Sequence, residues 1–276
     1  LLQLLPEAVE AKDLPGMADV DSSLLYFCRK VAERHTVALS GECADEVFGG
    51  YPWFERSELL EADTFPWCPD LEFRRAVVKP ELWESLQVED YVQARYQQSL
   101  AEMPDLPGEA LWERRRREVG WLSLNWFMST LLDRKDRMSM AAGLEVRVPF
   151  CDHHLVEYVW NIPWAMKAMN GQRKQVLRDA AEGLLPEELL RRPKSPYPKT
   201  HDPLYEQLVR ARLLTILDDR DAPIHSLVDE KALRAGLLSD AGDYGKPWFG
   251  QLMAGPQMLA YLIQINEWMS RYHLTV

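Results

Sequence analysis

The densest group of residues able to do chemistry is the segment 40–51, which reads Ser-Gly-Glu-Cys-Ala-Asp-Glu-Val-Phe-Gly-Gly-Tyr. It places Glu42, Asp45 and Glu46 directly after a short apolar run, Thr36–Leu39. In open α/β sheets, ligands bind beyond the carboxyl ends of strands, where loop amides and helix N-termini favour phosphate oxygens. Carboxylates reach phosphate through Mg²⁺, which one or two carboxylates and substrate phosphates commonly hold together. The segment therefore predicts a nucleotide–magnesium site; the alternative is acidic capping of an ordinary helix.

A second cluster spans residues 132–150, where charges alternate with Met, Leu and Val. Alternating charges at helical spacing usually support a solvated helix face. The interleaved apolar residues indicate that part of this set is buried, and a buried arginine must be paired. Glu145 and Arg147 form a ready structural pair, so we favour structure over catalysis for this cluster.

A third cluster, residues 191–199, carries Lys194 among three prolines that hold the chain out of a helix. A cation in such a loop is a common device for stabilising a phosphate or a developing oxyanion. The alternative is a basic surface loop. The segment Gly171–Lys174 is a similar, weaker case, in front of a predicted helix.

The elements that must position these clusters follow an α/β order. A helix capped by Asp21 or Ser22 is predicted to end near Glu33, the run Thr36–Leu39 predicts a buried strand, and a further helix opens at Ala44. Helix, strand, glycine turn and helix together predict a parallel sheet. Everything after Tyr51 is predicted to be helical, with the main helices at Glu109–Ala142, His153–Trp160, Gln172–Ala181, Pro203–Leu217, Asp229–Leu238 and Pro247–Trp268.

Composition narrows the function classes. The 276 residues carry 32 basic and 43 acidic side chains, a formal net charge of −11, which argues against nucleic acid as the main partner. No apolar run approaches the length of a membrane span, and the four cysteines show no paired spacing, so a cytoplasmic protein is expected. Because the chain opens with Leu1 inside an apolar run, we expect it to be part of a longer chain.

The motifs are recognisable as a set. Segment 40–51 closely resembles the signature of the synthetase domain of glutamine-hydrolysing asparagine synthetases, of the B type. Residues 134–150, with Gly-Leu-Glu-Val-Arg-Val-Pro-Phe, resemble the second block of that family. Residues 171–178, and 185–188 with 192–194, resemble its third and fourth blocks. The four blocks occur in family order over residues 19–200.

The resemblance implies a two-domain enzyme. An N-terminal glutaminase releases ammonia, and a C-terminal α/β domain related to the ATP pyrophosphatases (adenine nucleotide alpha hydrolase-like) uses Mg-ATP to adenylate aspartate. On this basis residues 1–276 are the C-terminal part of the synthetase domain, with a nucleotide-site part at 19–51 and a helical region at 52–276. The glutaminase domain and the Ser-Gly-Gly-x-Asp-Ser pyrophosphate loop are not in the sequence, so we expect little activity from the chain alone. The partners implied are aspartate, ATP, glutamine-derived ammonia, the glutaminase domain and a second copy in a homodimer.

The resemblance also implies roles for single residues. Ser40 and Gly41 match positions that contact ATP, Glu42 matches the carboxylate required for the aspartyl-AMP intermediate and its attack by ammonia, and Asp45 matches a magnesium ligand. Lys194 matches a lysine that stabilises the acyl-adenylate or pyrophosphate. Arg137 and Lys174 are weaker candidates, and Cys43 stands where many relatives have glycine.

Two other classes stay open. The first is a relative resembling β-lactam synthetase or a peptide-cyclising enzyme; in β-lactam synthetases a tyrosine takes the place of Glu42, so Glu42 favours ammonia as the nucleophile. The second is a non-catalytic helical interaction module of the same fold.

Overall fold

The computed structural model describes residues 1–69, 71–168, 171–193, 197, 202–236 and 247–276. These residues form a mostly helical chain around one pair of parallel strands. The strands are β1 (Val37–Leu39) and β2 (Glu145–Arg147). The helices, numbered in chain order, are α1 (Leu5–Lys12), α2 (Asp19–Ala32), α3 (Ala44–Phe48), α4 (Ser57–Leu60), α5 (Glu72–Arg75), α6 (Pro80–Leu86), α7 (Val88–Ala101), α8 (Leu111–Leu122), α9 (Ser129–Ala141), α10 (His153–Trp160), α11 (Trp164–Lys167), α12 (Gln175–Ala180), α13 (Glu187–Leu190), α14 (Pro203–Asp218), α15 (Glu230–Gly236) and α16 (Gly255–Tyr272).

The strand pair confirms the predicted α/β order at a coarse level. β1 and β2 run parallel with Ala38 opposite Val146, and the ladder is extended by Glu145 N–H donating to the Thr36 carbonyl at 2.9 Å. The prediction that β1 is buried is wrong, because 75% of the Leu39 surface is exposed. Parallel strands are normally covered on both faces, and nothing among the described residues covers this side of β1.

Helix α2 and helix α9 lie next to the strand pair and share its apolar core. Leu24, Leu25 and Cys28 of α2 pack with Met138 of α9 and with Leu144 just before β2. A separate aromatic core holds the segment after α3 in place; its members include Tyr51, Trp53, Phe54, Trp67 and Phe127. These two cores fix the ends of the segment that carries the first candidate site.

Local signals placed most helices well. His153–Trp160 is confirmed at both ends, and the carboxylate of Asp152 caps it by accepting from the His154 and Leu155 amides. The predicted helix at Glu109–Ala142 is present as α8 and α9 joined by a π-helical segment, Ser123–Met128.

Two predicted helix starts are wrong. α2 begins at Asp19, so Asp21 does not cap it; the buried carboxylate of Asp21 accepts instead from the Met17 amide at 2.7 Å. The last helix begins at Gly255 and not at Pro247, because Phe249 and Met253 form a tight antiparallel bridge that ends before the helix. Within the part of the chain that the structure describes, no helix is long and apolar enough to cross a membrane.

Candidate active site

The predicted loop starts as a direct extension of the sheet. The Ser40 amide donates to the Arg147 carbonyl at 2.9 Å, so the first loop residue still pairs with the end of β2. The Ser40 hydroxyl then accepts from the Glu42 amide at 3.3 Å, which turns the chain away from the sheet. Gly41 between them is exposed. The chain therefore presents residues 40–42 at the carboxyl end of β1, as the sequence predicts.

Glu42 lies against two cations of helix α9. Its Oε1 atom is 3.7 Å from an Arg134 guanidinium nitrogen and 3.6 Å from Lys135 Nζ. Its Oε2 atom is buried and has no hydrogen-bond partner among the described residues. One carboxylate oxygen is thus held by cations, and the other is left as an unused acceptor.

Arg134 is the buried arginine of the second cluster, with only 5% of its surface exposed. Its charge acts on Asp21. Burial raises the pKa of Asp21, and the positive charges of Arg134 and Lys12 reduce that rise without cancelling it. The Tyr197 ring lies 5.9 Å from the Arg134 guanidinium carbon, and the Tyr197 hydroxyl is 3.2 Å from the Ser23 hydroxyl. Arg134 therefore connects α9, α2 and the segment that contains Tyr197 beneath Glu42.

Asp45 pairs with a lysine from a distant part of the chain. Lys174 Nζ lies 2.7 Å from Asp45 Oδ1, although 129 positions (174 − 45) separate the two residues. Gly50 makes this contact possible, since a Cβ atom at that position would overlap both the Asp45 carboxylate and the Lys174 side chain. The second glycine of the Gly49-Gly50 pair is therefore required sterically by the contact between Asp45 and Lys174.

The third carboxylate of the loop has a structural role. Glu46 is buried and accepts from the Tyr51 hydroxyl at 2.6 Å. The pKa of Tyr51 is raised, first by burial and then by the neighbouring Glu46 charge, so the phenol stays a donor. Cys43 is also buried, in a left-handed backbone conformation with φ of 74°, and burial raises the pKa of its thiol.

The structure sorts the sequence-predicted residues. Ser40, Gly41, Glu42 and Asp45 lie together on one loop, while Lys194 lies outside the described residues. Arg137 forms no ion pair with Glu42; it pairs instead with Asp13 and Asp133.

Sequence reasoning underrated three cations that the structure brings to the loop: Arg134, Lys135 and Lys174. The expected pair Glu145–Arg147 exists at 2.7 Å, yet it is exposed and is not the buried pair. The interleaved Met and Leu residues indicated that part of this cluster is buried, but they did not single out Arg134.

A magnesium ion fits this donor set only together with a ligand. No three His, Cys, Asp or Glu side chains group closely enough to hold a metal by themselves in the described ranges. Mg²⁺ commonly takes one or two protein carboxylates and completes its shell with water and substrate phosphates. The partly exposed Asp45 carboxylate at the end of β1 suits that mode of binding.

The fold and the site define an α/β protein with a carboxylate–cation site in the loop after a parallel strand. Comparison with known protein families identifies the family: the asparagine synthase model matches residues 1–270. The chain belongs to the asparagine synthase family, which confirms the resemblance drawn from the four sequence blocks.

Individual relatives agree with this assignment. The chain is 51% identical, over all 276 residues, to asparagine synthetase [glutamine-hydrolyzing] 3 of Bacillus subtilis strain 168, and it covers 45% of that protein. It is 31% identical over 226 residues to asparagine synthetase [glutamine-hydrolyzing] 1 of the same strain, covering 70% of this chain and 35% of that protein. A 67-residue stretch is 45% identical to the asparagine synthetase [glutamine-hydrolyzing] of Mus musculus, covering 23% of this chain and 12% of that protein. The chain thus spans less than half the length of these relatives.

Proposed function

We propose that the protein makes asparagine from aspartate, ATP and glutamine-derived ammonia through a β-aspartyl-AMP intermediate. Membership of the asparagine synthase family supports this reaction, and the two B. subtilis relatives are named glutamine-hydrolysing asparagine synthetases. The observation that carries the proposal is the Glu42 carboxylate: one oxygen is held by Arg134 and Lys135, and the other is a buried acceptor without a partner among the described residues.

The proposed chemistry has two steps. First, a β-carboxylate oxygen of aspartate attacks the α-phosphorus of ATP, forming a C–O–P linkage while pyrophosphate leaves. Second, the ammonia nitrogen attacks the acyl carbon, and the C–O bond to AMP breaks with its electron pair on AMP. The nitrogen is cationic after attack and must lose a proton, which Glu42 accepts. A positioned base of this kind contributes roughly 10²–10⁴ in rate.

The other loop residues are assigned to the nucleotide. Ser40 and Gly41 are proposed to contact ATP, since they lie at the carboxyl end of β1, where ligands of open α/β sheets bind. Asp45 would hold Mg²⁺, and that ion would offset charge on the phosphates during adenylation. Lys174, which pairs with Asp45 at 2.7 Å, would turn towards phosphate when the nucleotide binds. Lys194 stays a prediction for the same role.

We further propose that the chain is the C-terminal part of an ATP-pyrophosphatase-like synthetase domain that works with a glutaminase domain. Exposed apolar side chains of α2 and β1 support this, because further strands and helices of a larger parallel sheet would cover such residues. They are Tyr26, Phe27, Val37 and Leu39. A cytoplasmic location fits a consumer of ATP and aspartate, and a homodimer stays a prediction.

The test is Glu42→Gln in the full-length protein, with Glu145→Gln as the matched control on exposed β2. Pyrophosphate release and asparagine formation are measured together, after circular dichroism has shown that both variants fold. We expect Glu42→Gln to lower asparagine formation by roughly 10²–10⁴, and Glu145→Gln to change it less than about twofold. Near-normal asparagine formation by Glu42→Gln would show that this carboxylate is not the base.

A further inference from the structure

A cavity is lined in part by helix α3 and the residue that follows it. Its volume is about 460 Å³, within the usual range for small-molecule sites. Glu46, Val47 and Gly49 of the α3 region form one wall, and α8, α10 and α11 supply the others. None of the described residues that the proposed amidation assigns lines this cavity.

Lys167, the last residue of α11, lines the cavity with an unpaired charge. Only 9% of its surface is exposed, and its side chain has neither a hydrogen bond nor an ion pair with any residue that the structure describes. Burial alone lowers its pKa to about 8, with no contribution from a nearby carboxylate. A buried ammonium without a partner is unfavourable, so a bound anion would relieve a cost that the folded protein carries.

A second cationic donor lines the same cavity. Arg116 of α8 has a buried Nε without a hydrogen-bond partner in the described part of the chain. Its guanidinium carbon lies 5.8 Å from the centre of the Trp164 ring, which holds it against the cavity wall. Charge-assisted hydrogen bonds from an ammonium and a guanidinium are among the stronger polar contacts a protein offers a carboxylate.

The acids around the cavity are mostly engaged elsewhere. Glu109 forms an ion pair with Arg117 at 2.7 Å, and Glu46 accepts from Tyr51. Asp105 pairs with Arg114, which does not line the cavity, and Glu113 is half-buried. None of these acids neutralises Lys167, so the positive charge of that lysine faces the cavity.

The remaining walls are flat and apolar. Trp160, Trp164 and Phe54 line the cavity, and the last two stack with ring centroids 4.9 Å apart. Three prolines of the neighbouring loops complete this surface. Such walls favour a planar apolar body over a fully hydrated ion such as free phosphate.

We infer that this cavity binds a small organic anion with a flat apolar body, of the aromatic carboxylate class, and that Lys167 pairs with its carboxylate. None of residues 40–45 lines this cavity, and the proposed binding requires neither ATP nor aspartate. Failure of this inference would therefore leave the proposed amidation untouched.

The test is calorimetric titration of the protein with 2-naphthoate, with its neutral counterpart 2-naphthamide, and with acetate. Wild type is compared with Lys167→Met, which keeps an unbranched side chain only one atom shorter and removes its charge. Lys231→Met, at an exposed lysine of α15, is the matched control. We expect submillimolar binding of naphthoate, weakened roughly 10- to 100-fold in Lys167→Met, as loss of a charged hydrogen bond predicts. Lys231→Met should bind like wild type, and naphthamide and acetate should bind at least about tenfold more weakly.

A second measurement uses only the wild-type protein, so its result does not depend on whether Lys167→Met folds. Acetic anhydride acetylates Lys167, and mass spectrometry follows the rate at that residue with and without naphthoate. We expect protection of Lys167 and no protection of Lys231. Equal naphthoate binding by wild type and Lys167→Met, equal binding of naphthamide, or unprotected acetylation of Lys167 would each overturn the inference.

Discussion

Lys167 makes the pH dependence of stability calculable from the structure. Its ammonium is buried and has no partner among the described residues, and its folded-state pKa is about 8 in place of the ordinary 10.5. The unfolded chain therefore binds more protons than the folded protein between these two values. Stability rises with pH wherever the unfolded state binds more protons, so Lys167 destabilises the protein below pH ~8 and progressively less above it.

The size of the effect follows from the shift. A difference of about 2.5 pKa units corresponds to about 3 kcal/mol, of which about 2.5 kcal/mol is recovered between pH ~7 and ~10. Lys167→Met removes this contribution. The unfolding free energy of the variant, measured relative to wild type, should fall by about 2–3 kcal/mol over the same interval.

The assay is urea unfolding of wild type, Lys167→Met and Lys231→Met at both pH values. All other titrating groups, including Glu46 and Glu113 of the cavity, are present in the three proteins, so their effects cancel in the differences. Lys231→Met should follow wild type. A constant difference between wild type and Lys167→Met across the interval would refute the assignment of a buried, unpaired ammonium.

Two further predictions concern the loop and its surroundings. Gly49→Ala should lower the free energy of unfolding in urea by about 3 kcal/mol, because φ is +72° and a Cβ atom would overlap the Trp164 ring. The control is Gly143→Ala, which has the same φ but open space around it and should cost only about 1 kcal/mol. Equal costs for the two variants would contradict the steric argument. Cys43 should react with iodoacetamide at neutral pH at least about tenfold more slowly than the half-buried Cys68, since burial raises the pKa of the Cys43 thiol. Mass spectrometry measures both rates. Equal rates for Cys43 and Cys68 would show that the Cys43 thiol is not shielded.

Sequence predicted those parts of the fold that depend on local signals. Helix α10 follows from an apolar periodicity bounded by Asp152, and the loop after β1 follows from a β-branched run that ends in Ser-Gly. Strand β2 was missed because three residues of alternating exposure carry almost no local signal. The strand exists because it pairs with β1, and such pairing is not visible in a short window.

In the candidate site, too, the residues that are close in sequence were predicted and their distant partners were not. Glu42 and Asp45 were found because they are neighbours in sequence and follow a strand. Their partners Arg134 and Lys174 come from distant segments, so only the folded chain shows which carboxylate each of them contacts. The cavity cation Lys167 had no sequence signal, because an isolated lysine in an apolar stretch reveals neither its burial nor its lack of a partner.

The central claim, adenylation of aspartate at the Glu42 loop, is tested most directly by following oxygen. Aspartate labelled with ¹⁸O in its β-carboxylate is incubated with the full-length protein, ATP, Mg²⁺ and ammonia, and the phosphorus-containing products are analysed by mass spectrometry. The proposed mechanism predicts one labelled oxygen in AMP and none in pyrophosphate. Label in inorganic phosphate with ADP as co-product, or asparagine formed without labelled AMP, would contradict it.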